Sequence, residues 1–215
     1  ASIEQGVTAI RELSEKHNFT YQWTEDANVF NDKLSEEFDL IIFLNTSGDI
    51  LNKAQQEIFK SFISQGGGFV GVHCATCTHT SWEWYVNLVG GRFTHHPYIQ
   101  TGILKKSEAS HLSTLHLPEN WLWTDEWYVF EDLNKENMVL LTVDENSYDP
   151  GHSWKETSGM GDFHPIAWYR TEGESRIFYT ALGHQPEAYQ DPDFLKHLYG
   201  GIFWVAQGVK EHRAK

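Results

Sequence analysis

Three polar side chains follow apolar, strand-like runs in this chain, and their types suit proton transfer. FDLIIFL (38–44) leads into Asn45-Thr46, GFVGV (68–72) into His73, and RIFYTAL (176–182) into Gly183-His184. If these runs are parallel neighbours, their carboxyl ends open on one crevice, and residues remote in sequence meet there. His73 sits at a sharp strand-to-helix turn in GFVGVHCAT, where small neighbours permit close backbone approach. An imidazole there can take up or release a proton near neutral pH. The competing role is a core histidine bonded to a backbone carbonyl.

Thr124-Asp125-Glu126-Trp127-Tyr128 packs two carboxylates and two aromatics together. In a strand, Asp125 and Trp127 share one face and Glu126 and Tyr128 the other. Glu126 beside an aromatic is expected to have a raised pKa and to act as acid or base, against the alternative of a solvated acid. The chain carries nine Trp, nine Tyr and 13 Phe. Aromatic faces bind the C–H faces of sugars, a use that suits Trp82, Trp84, Tyr85, Trp127 and Tyr128. Trp121, Trp123, Trp154, Trp168 and Trp204 read equally well as core or rim packing.

None of the 12 histidines lies in a compact metal motif such as HExxH. Distant residues could still assemble a site, since neutral imidazole suits zinc and similar divalent ions. The reading therefore names no certain cofactor, keeps a divalent metal such as zinc open, and assigns it no ligands. The only cysteines, Cys74 and Cys77, form a lone CxxC: a redox pair, half a zinc site, or two incidental thiols near a strand end. Without a second CxxC a zinc ribbon is excluded. Gly66-Gly67-Gly68 lacks a following Lys-Ser/Thr and is a helix stop rather than a phosphate loop.

The formal net charge is −14, from 30 acidic and 16 basic residues. Such a surface repels phosphate backbones and anionic lipids, so nucleic acid and membranes are poor partners, but the charge identifies no partner; the small-molecule carbohydrate is named on the aromatic residues. No apolar run approaches the roughly 20 residues that span a bilayer. No signal-peptide pattern opens the chain. The compartment, cytoplasmic or periplasmic/secreted after cleavage, stays open, as does a homo-oligomer.

The elements that must position these residues follow from periodicity. Ser2–His17 is expected as a helix, with Ser2 and Gln5 as a capping box and Ile3, Val7, Ile10 and Leu13 as its stripe. Phe19–Trp23 is expected as a short strand and 38–44 as a strand covered on both faces. Asn52 caps a helix with Ala54, Ile58, Phe59, Phe62 and Ile63 buried, followed by the strand 69–72. Strands are expected at 99–105, 138–143, 164–170 and 176–182, and a closing helix from Asp191. This alternation predicts one α/β domain over 1–215 with a mostly parallel sheet.

At 66–97 (GGGFVGVHCATCTHTSWEWYVNLVGGRFTHHP), with DEWYVF, LLTVDENSY, HPIAWYR and RIFYTALGHQPEAYQDPDFLKHLYGGIFWVAQG, the chain resembles the ThuA-like (trehalose utilisation) family block by block. The resemblance covers nearly the whole chain. It implies a flavodoxin-like, class I glutamine amidotransferase-like three-layer sandwich with a mostly parallel central sheet. It also implies metabolism of trehalose and related disaccharides, including routes through 3-keto-sugars. The family's recurrent polar positions fall on His73, Thr76, Trp82, Tyr85, His96, Glu126, His164, Arg170 and His184. Two departures stand out. The family usually has serine and aspartate where Cys74 and Cys77 stand, and it opens with a strand and a loop ending in histidine just before the segment matching Ala1-Ser2.

The expected function is an enzyme acting on a disaccharide or keto-sugar derivative, as a hydrolase, lyase or isomerase. His73, Glu126 and His184 are its catalytic group. Asn45, Thr76, Trp82, Tyr85, His96, Trp127, Tyr128, His164 and Arg170 are expected around the substrate. The alternatives are a non-catalytic carbohydrate-binding domain and amidotransferase-like chemistry at Cys74.

Overall fold

The computed structural model describes residues 2–107, 110–154 and 157–213. Among these, five α-helices and nine strands form a mixed α/β fold. Helix α1 (Ser2–His17) buries Gly6, Ala9, Ile10 and Leu13, an i, i+3, i+4, i+7 stripe. Ser2 lies inside the helix rather than at its cap. Gly6 packs against Leu44 and Tyr189, where a Cβ would come within 2.9 Å of the Leu44 side chain. The short α2 (Leu34–Glu37) precedes strand β1 (Leu40–Leu44).

Helix α3 (Lys53–Ser64) opens with the Asn52–Gln55 capping box. Its buried face is Gln56, Phe59, Phe62 and Ile63; Ala54 is exposed and Ile58 half-buried, a rotation from the expected stripe. Strand β2 (Gly68–Val72) is buried throughout. After a 3-10 turn (His73–Cys77) come α4 (Glu83–Val89), β3 (Arg92–His95), β4 (Gln100–Lys106), β5 (Asn120–Asp125), β6 (Val129–Glu131) and β7 (Met138–Asp144). Strands β8 (Pro165–Glu172) and β9 (Ser175–Thr180) precede the closing helix α5 (Pro192–Arg213).

The main sheet has the order β1-β2-β9-β8-β7-β4-β5, and β3 pairs with β6 separately. The expectation of a mostly parallel, flavodoxin-like sheet is corrected here. Only β1–β2 and β2–β9 pair parallel. The other four pairings are antiparallel. The local cause is visible between β8 and β9: only Gly173 and Glu174 separate them, Gly173 has φ +58, and a two-residue connection can join only antiparallel strands. Helices cover both faces of the parallel part. Gly201 of α5 lies on Phe178 and Val205 on Gly68. On the other face, Phe59 and Tyr85 pack on Phe43 and Phe69.

Two further expectations change. Phe19–Trp23 is not a strand: among the described residues β1 is the sheet's edge and carries no strand on its outer side, so this segment's β-favouring side chains find no ladder to join. β1 itself is mostly half-buried rather than covered on both faces, as an edge position dictates. No helix among the described residues is long and apolar enough to cross a membrane.

Candidate active site

The parallel strands end level with one another. Leu44 is paired with Val72, and Val72 with Thr180, so Asn45, His73 and Ala181 leave the sheet along one rim. Asn45 and His73 both take left-handed backbone conformations, φ +52 and +50, as the chain turns out of its strand. For histidine such a conformation costs about 1–3 kcal/mol and persists only where surrounding contacts impose it. Here they do: His73 Nδ1 lies 2.6 Å from Ala181 O, and Tyr179 Oη donates to His73 O at 2.8 Å. Thr76 adds a hydroxyl bridged to Tyr179 at 2.9 Å.

These contacts aim His73 Nε2 into a cluster. Tyr128 Oη is 2.8 Å away, His184 Nδ1 3.2 Å and Glu126 Oε2 3.3 Å. Glu126 Oε2 also lies 3.1 Å from His184 Nδ1 and 3.5 Å from His96 Nε2. Because Ala181 O can only accept, His73 Nδ1 carries a hydrogen. Its Nε2 then either presents a lone pair or bears the second proton of an imidazolium. A lone pair facing a carboxylate is repulsive, so the grouping calls for a positive centre, a proton or a cation.

The electrostatics follow. Burial pushes His73 down, but its contacts with Cys74 and Glu126 and the charge of Asp125 outweigh that and raise it to about 10. Burial pushes Glu126 up, yet His184 and His73 hold it down at about 2. Contact with Glu126 raises His184. The raised Glu126 pKa expected from its aromatic neighbours is thus corrected: three imidazoles dominate, and the carboxylate is ionised. Burial drives the Tyr128 phenol upward, so it stays protonated and can relay hydrogen bonds.

Asp125 holds this arrangement together and was not singled out as a site residue by sequence reasoning. It is fully buried, at 0% exposure. Its Oδ1 accepts from Glu126 N at 2.9 Å and His184 N at 3.3 Å. Its Oδ2 accepts from Gly183 N at 2.9 Å and Trp123 Nε1 at 3.0 Å. One carboxylate therefore ties the loop after β5 to the loop after β9, setting Glu126 beside His184. A buried acid flanked by backbone donors has no sequence signature beyond the acid itself.

The structure sorts the expected binding residues. Asn45 joins the rim through Nδ2, 3.4 Å from both Gly183 O and Tyr189 Oη. His96 and Tyr128 belong to the cluster, and Tyr128 stacks on His96 and packs at a tilt on Phe93. His164 supports it from behind, with Nε2 2.8 Å from Tyr128 O. Thr76 and Tyr85 brace the turn, Tyr85 Oη donating to Ala75 O at 2.8 Å. The remaining three lie away from it. Trp127 is enclosed in the fold against Gly102 and Tyr148. Arg170 is buried on Asn87 O and Leu88 O beneath α4. Trp82 packs on His79, Trp84 and Tyr85. β5 ends at Asp125, whose side chain is buried, and Trp127 just beyond it is buried as well.

Two aromatics do flank the cluster in the open. Trp154 stands edge-to-face on His96 with ring centroids 4.9 Å apart, and Tyr98 packs on Trp154. Trp154 is 55% exposed and Tyr98 43%, so both offer ring surface to solvent beside Glu126. Shallow concavities at the opposite ends of the parallel strands, around Gly67, Val209, Arg176 and His212, carry charged side chains too, but there Arg176 is paired with Glu211 and His212 with Glu174 near the surface. Among the described residues, His73, Glu126 and His184 are the one trio whose ligand atoms lie close enough together for a metal ion.

An α/β domain carrying a histidine–carboxylate cluster at the strand ends is the class that fold and site define. The chain belongs to the trehalose utilisation (ThuA) family, whose pattern matches residues 1–205. It is similar to a ThuA-like protein of Bacteroides uniformis at 29% identity, covering 94% of this chain and 83% of that one, with TM-score 0.80. A ThuA-like protein of Parabacteroides merdae shares the fold at 21% identity and TM-score 0.65, over 88% and 77% of the two chains. A cytoplasmic protein of Salmonella typhimurium LT2 shares it at 11% identity and TM-score 0.61, over 97% and 86%. No functionally curated protein is detectably similar. The family places the chain in carbohydrate metabolism.

Proposed function

We propose that this protein is an enzyme acting on a disaccharide or keto-sugar derivative by acid–base chemistry at His73, Glu126 and His184. The observation that carries the proposal is one carboxylate oxygen held 3.1–3.5 Å from three imidazoles beside exposed aromatic rings. Trp154 and Tyr98 supply a surface for the C–H face of a sugar. His184, the most exposed of the trio, meets the ligand first and donates a proton to a carbonyl or leaving oxygen. Once His184 has given up its proton, less opposes the effect of burial on Glu126, which becomes a stronger base. That coupling suits removal of a proton beside a keto group, or activation of water.

The test compares His73→Ala and Glu126→Gln with the parent chain on trehalose and its 3-keto derivative, with folding checked by circular dichroism. Both variants lose turnover while keeping their fold. Unchanged turnover in both removes the assignment, and saturable sugar binding without product in the parent chain marks a binding domain instead.

A divalent ion is a second reading, favoured by the donor set. The edges of the trio are 3.1, 3.2 and 3.3 Å, close to the roughly 3.3 Å edges of a tetrahedron built on bonds of about 2.0 Å. His73 would donate its other N–H to Ala181 O, as metal-bound histidines do. An ion there would polarise a substrate oxygen. Elemental analysis after metal loading finds one ion per chain in the parent and none in Glu126→Gln; no ion in either excludes it.

A further inference from the structure

We propose that Cys74 and Cys77 form a thiol–disulfide exchange site, a dithiol that small disulfides such as oxidised glutathione convert to an intramolecular disulfide. Both residues lie in the 3-10 turn His73–Cys77. Such a turn has three residues per revolution and rises about 2.0 Å per residue, so side chains three apart eclipse and their Cα atoms lie about 6 Å apart. That spacing falls inside the roughly 4.4–6.8 Å range of disulfides. Both cysteines are free and half-buried, not sealed in the core. Cys74 Sγ lies 3.2 Å from the Tyr128 hydroxyl. Tyr128 in turn contacts His73 Nε2 at 2.8 Å. The dithiol therefore sits one residue and one hydroxyl away from the cluster.

The exchange balances without another reactant. One protein thiolate attacks a sulfur of the small disulfide, forms a mixed disulfide and expels one thiolate. The second protein thiol loses its proton to water, attacks the protein sulfur of the mixed disulfide and expels the other thiolate. Two cysteines are oxidised and the small disulfide is reduced to two thiols. The product draws Cys74 Sγ toward Cys77 and takes the S–H out of its contact with Tyr128, leaving His73 as that hydroxyl's partner in the group. Only this last consequence rests on the proposed acid–base function.

The folded chain is equilibrated with reduced and oxidised glutathione, quenched with acid, alkylated and weighed intact. The expected product has lost two hydrogens and resists alkylation at both cysteines. At a fixed ratio of oxidised to reduced glutathione, raising the total concentration about tenfold lowers the ratio of disulfide to dithiol about tenfold, because two thiols are released. A mixed disulfide releases one and does not respond. Cys77→Ser collects one glutathione at Cys74 and holds it. The proposal is overturned if the parent chain keeps both thiols alkylatable at every ratio, or carries glutathione with no dependence on total concentration. The dilution experiment decides the matter with the parent chain even where a variant fails to fold.

Discussion

Replacing Asp125 by asparagine tests whether this one carboxylate sets the site. The native group accepts four N–H bonds, two on each oxygen. An amide keeps one oxygen and turns an NH2 toward the other pair of donors. Its least costly orientation places the NH2 toward Glu126 N and His184 N, the second of which is a long contact at 3.3 Å. Each buried donor left unsatisfied costs about 1–3 kcal/mol, so the pair, with one weak member, costs about 2–4 kcal/mol. Urea unfolding followed by tryptophan fluorescence reads this as a midpoint lowered by roughly 1 M, taking a slope of roughly 3 kcal/mol per M. Trp123→Phe removes one donor from the same carboxylate, so a double-mutant cycle between the two positions shows a coupling of about 0.5 kcal/mol or more. The asparagine variant also removes a negative charge that favours protonated His73 and His184, and both histidines titrate lower in NMR spectra. A midpoint shift worth less than about 1 kcal/mol, with both histidine titrations unmoved, refutes the reasoning.

The remaining predictions concern the cluster and its rim. His73, raised to about 10, contributes stability that is complete below its unfolded value near 6.5 and is lost as pH climbs through about 10. Glu126, lowered to about 2, contributes above its unfolded value near 4.5 and loses that as pH falls through about 2. The stability gap between the parent chain and Glu126→Gln is therefore widest between pH 4.5 and 6.5, as denaturation across pH will show; a gap independent of pH contradicts the ion pairing. Trp154→Ala weakens sugar binding by about 1 kcal/mol, roughly fivefold by calorimetry, and leaves the unfolding midpoint within about 0.5 kcal/mol because the ring is exposed. His164→Ala frees Tyr128 O in the interior and destabilises the chain by about 1–3 kcal/mol in the same urea assay.

The rim was legible because β1, β2 and β9 are apolar runs ended abruptly by polar residues, and that contrast marks where buried strands emerge. Asn45, His73 and His184 could be placed together on that ground before any coordinates. The antiparallel half was harder. Its strands alternate, and alternation says which face is wet but not which neighbour a strand chooses; the short Gly173-Glu174 turn was the one local sign of direction. Phe19–Trp23 has strand-like side chains yet lacks a partner, a fact that only the edge position of β1 reveals. Trp127 and Trp154 show the same limit for aromatics. Nothing in their sequence neighbourhoods distinguishes the ring enclosed behind Gly102 from the one open beside His96. Asp125 was hidden more deeply, since its role lies in four donors drawn from two stretches of chain far apart in sequence.

The cluster draws on the loop after β2, the loop after β9 and the loop after β5, yet β5 is the far edge strand of the sheet. No sub-assembly of neighbouring strands can create it. Pairings between residues distant along the polymer form slowly, since chain-closure entropy is lost before they are rewarded. During renaturation, then, secondary structure should return ahead of any competence of the His73–Glu126–His184 group, making that competence a late reporter that the whole molecule has closed.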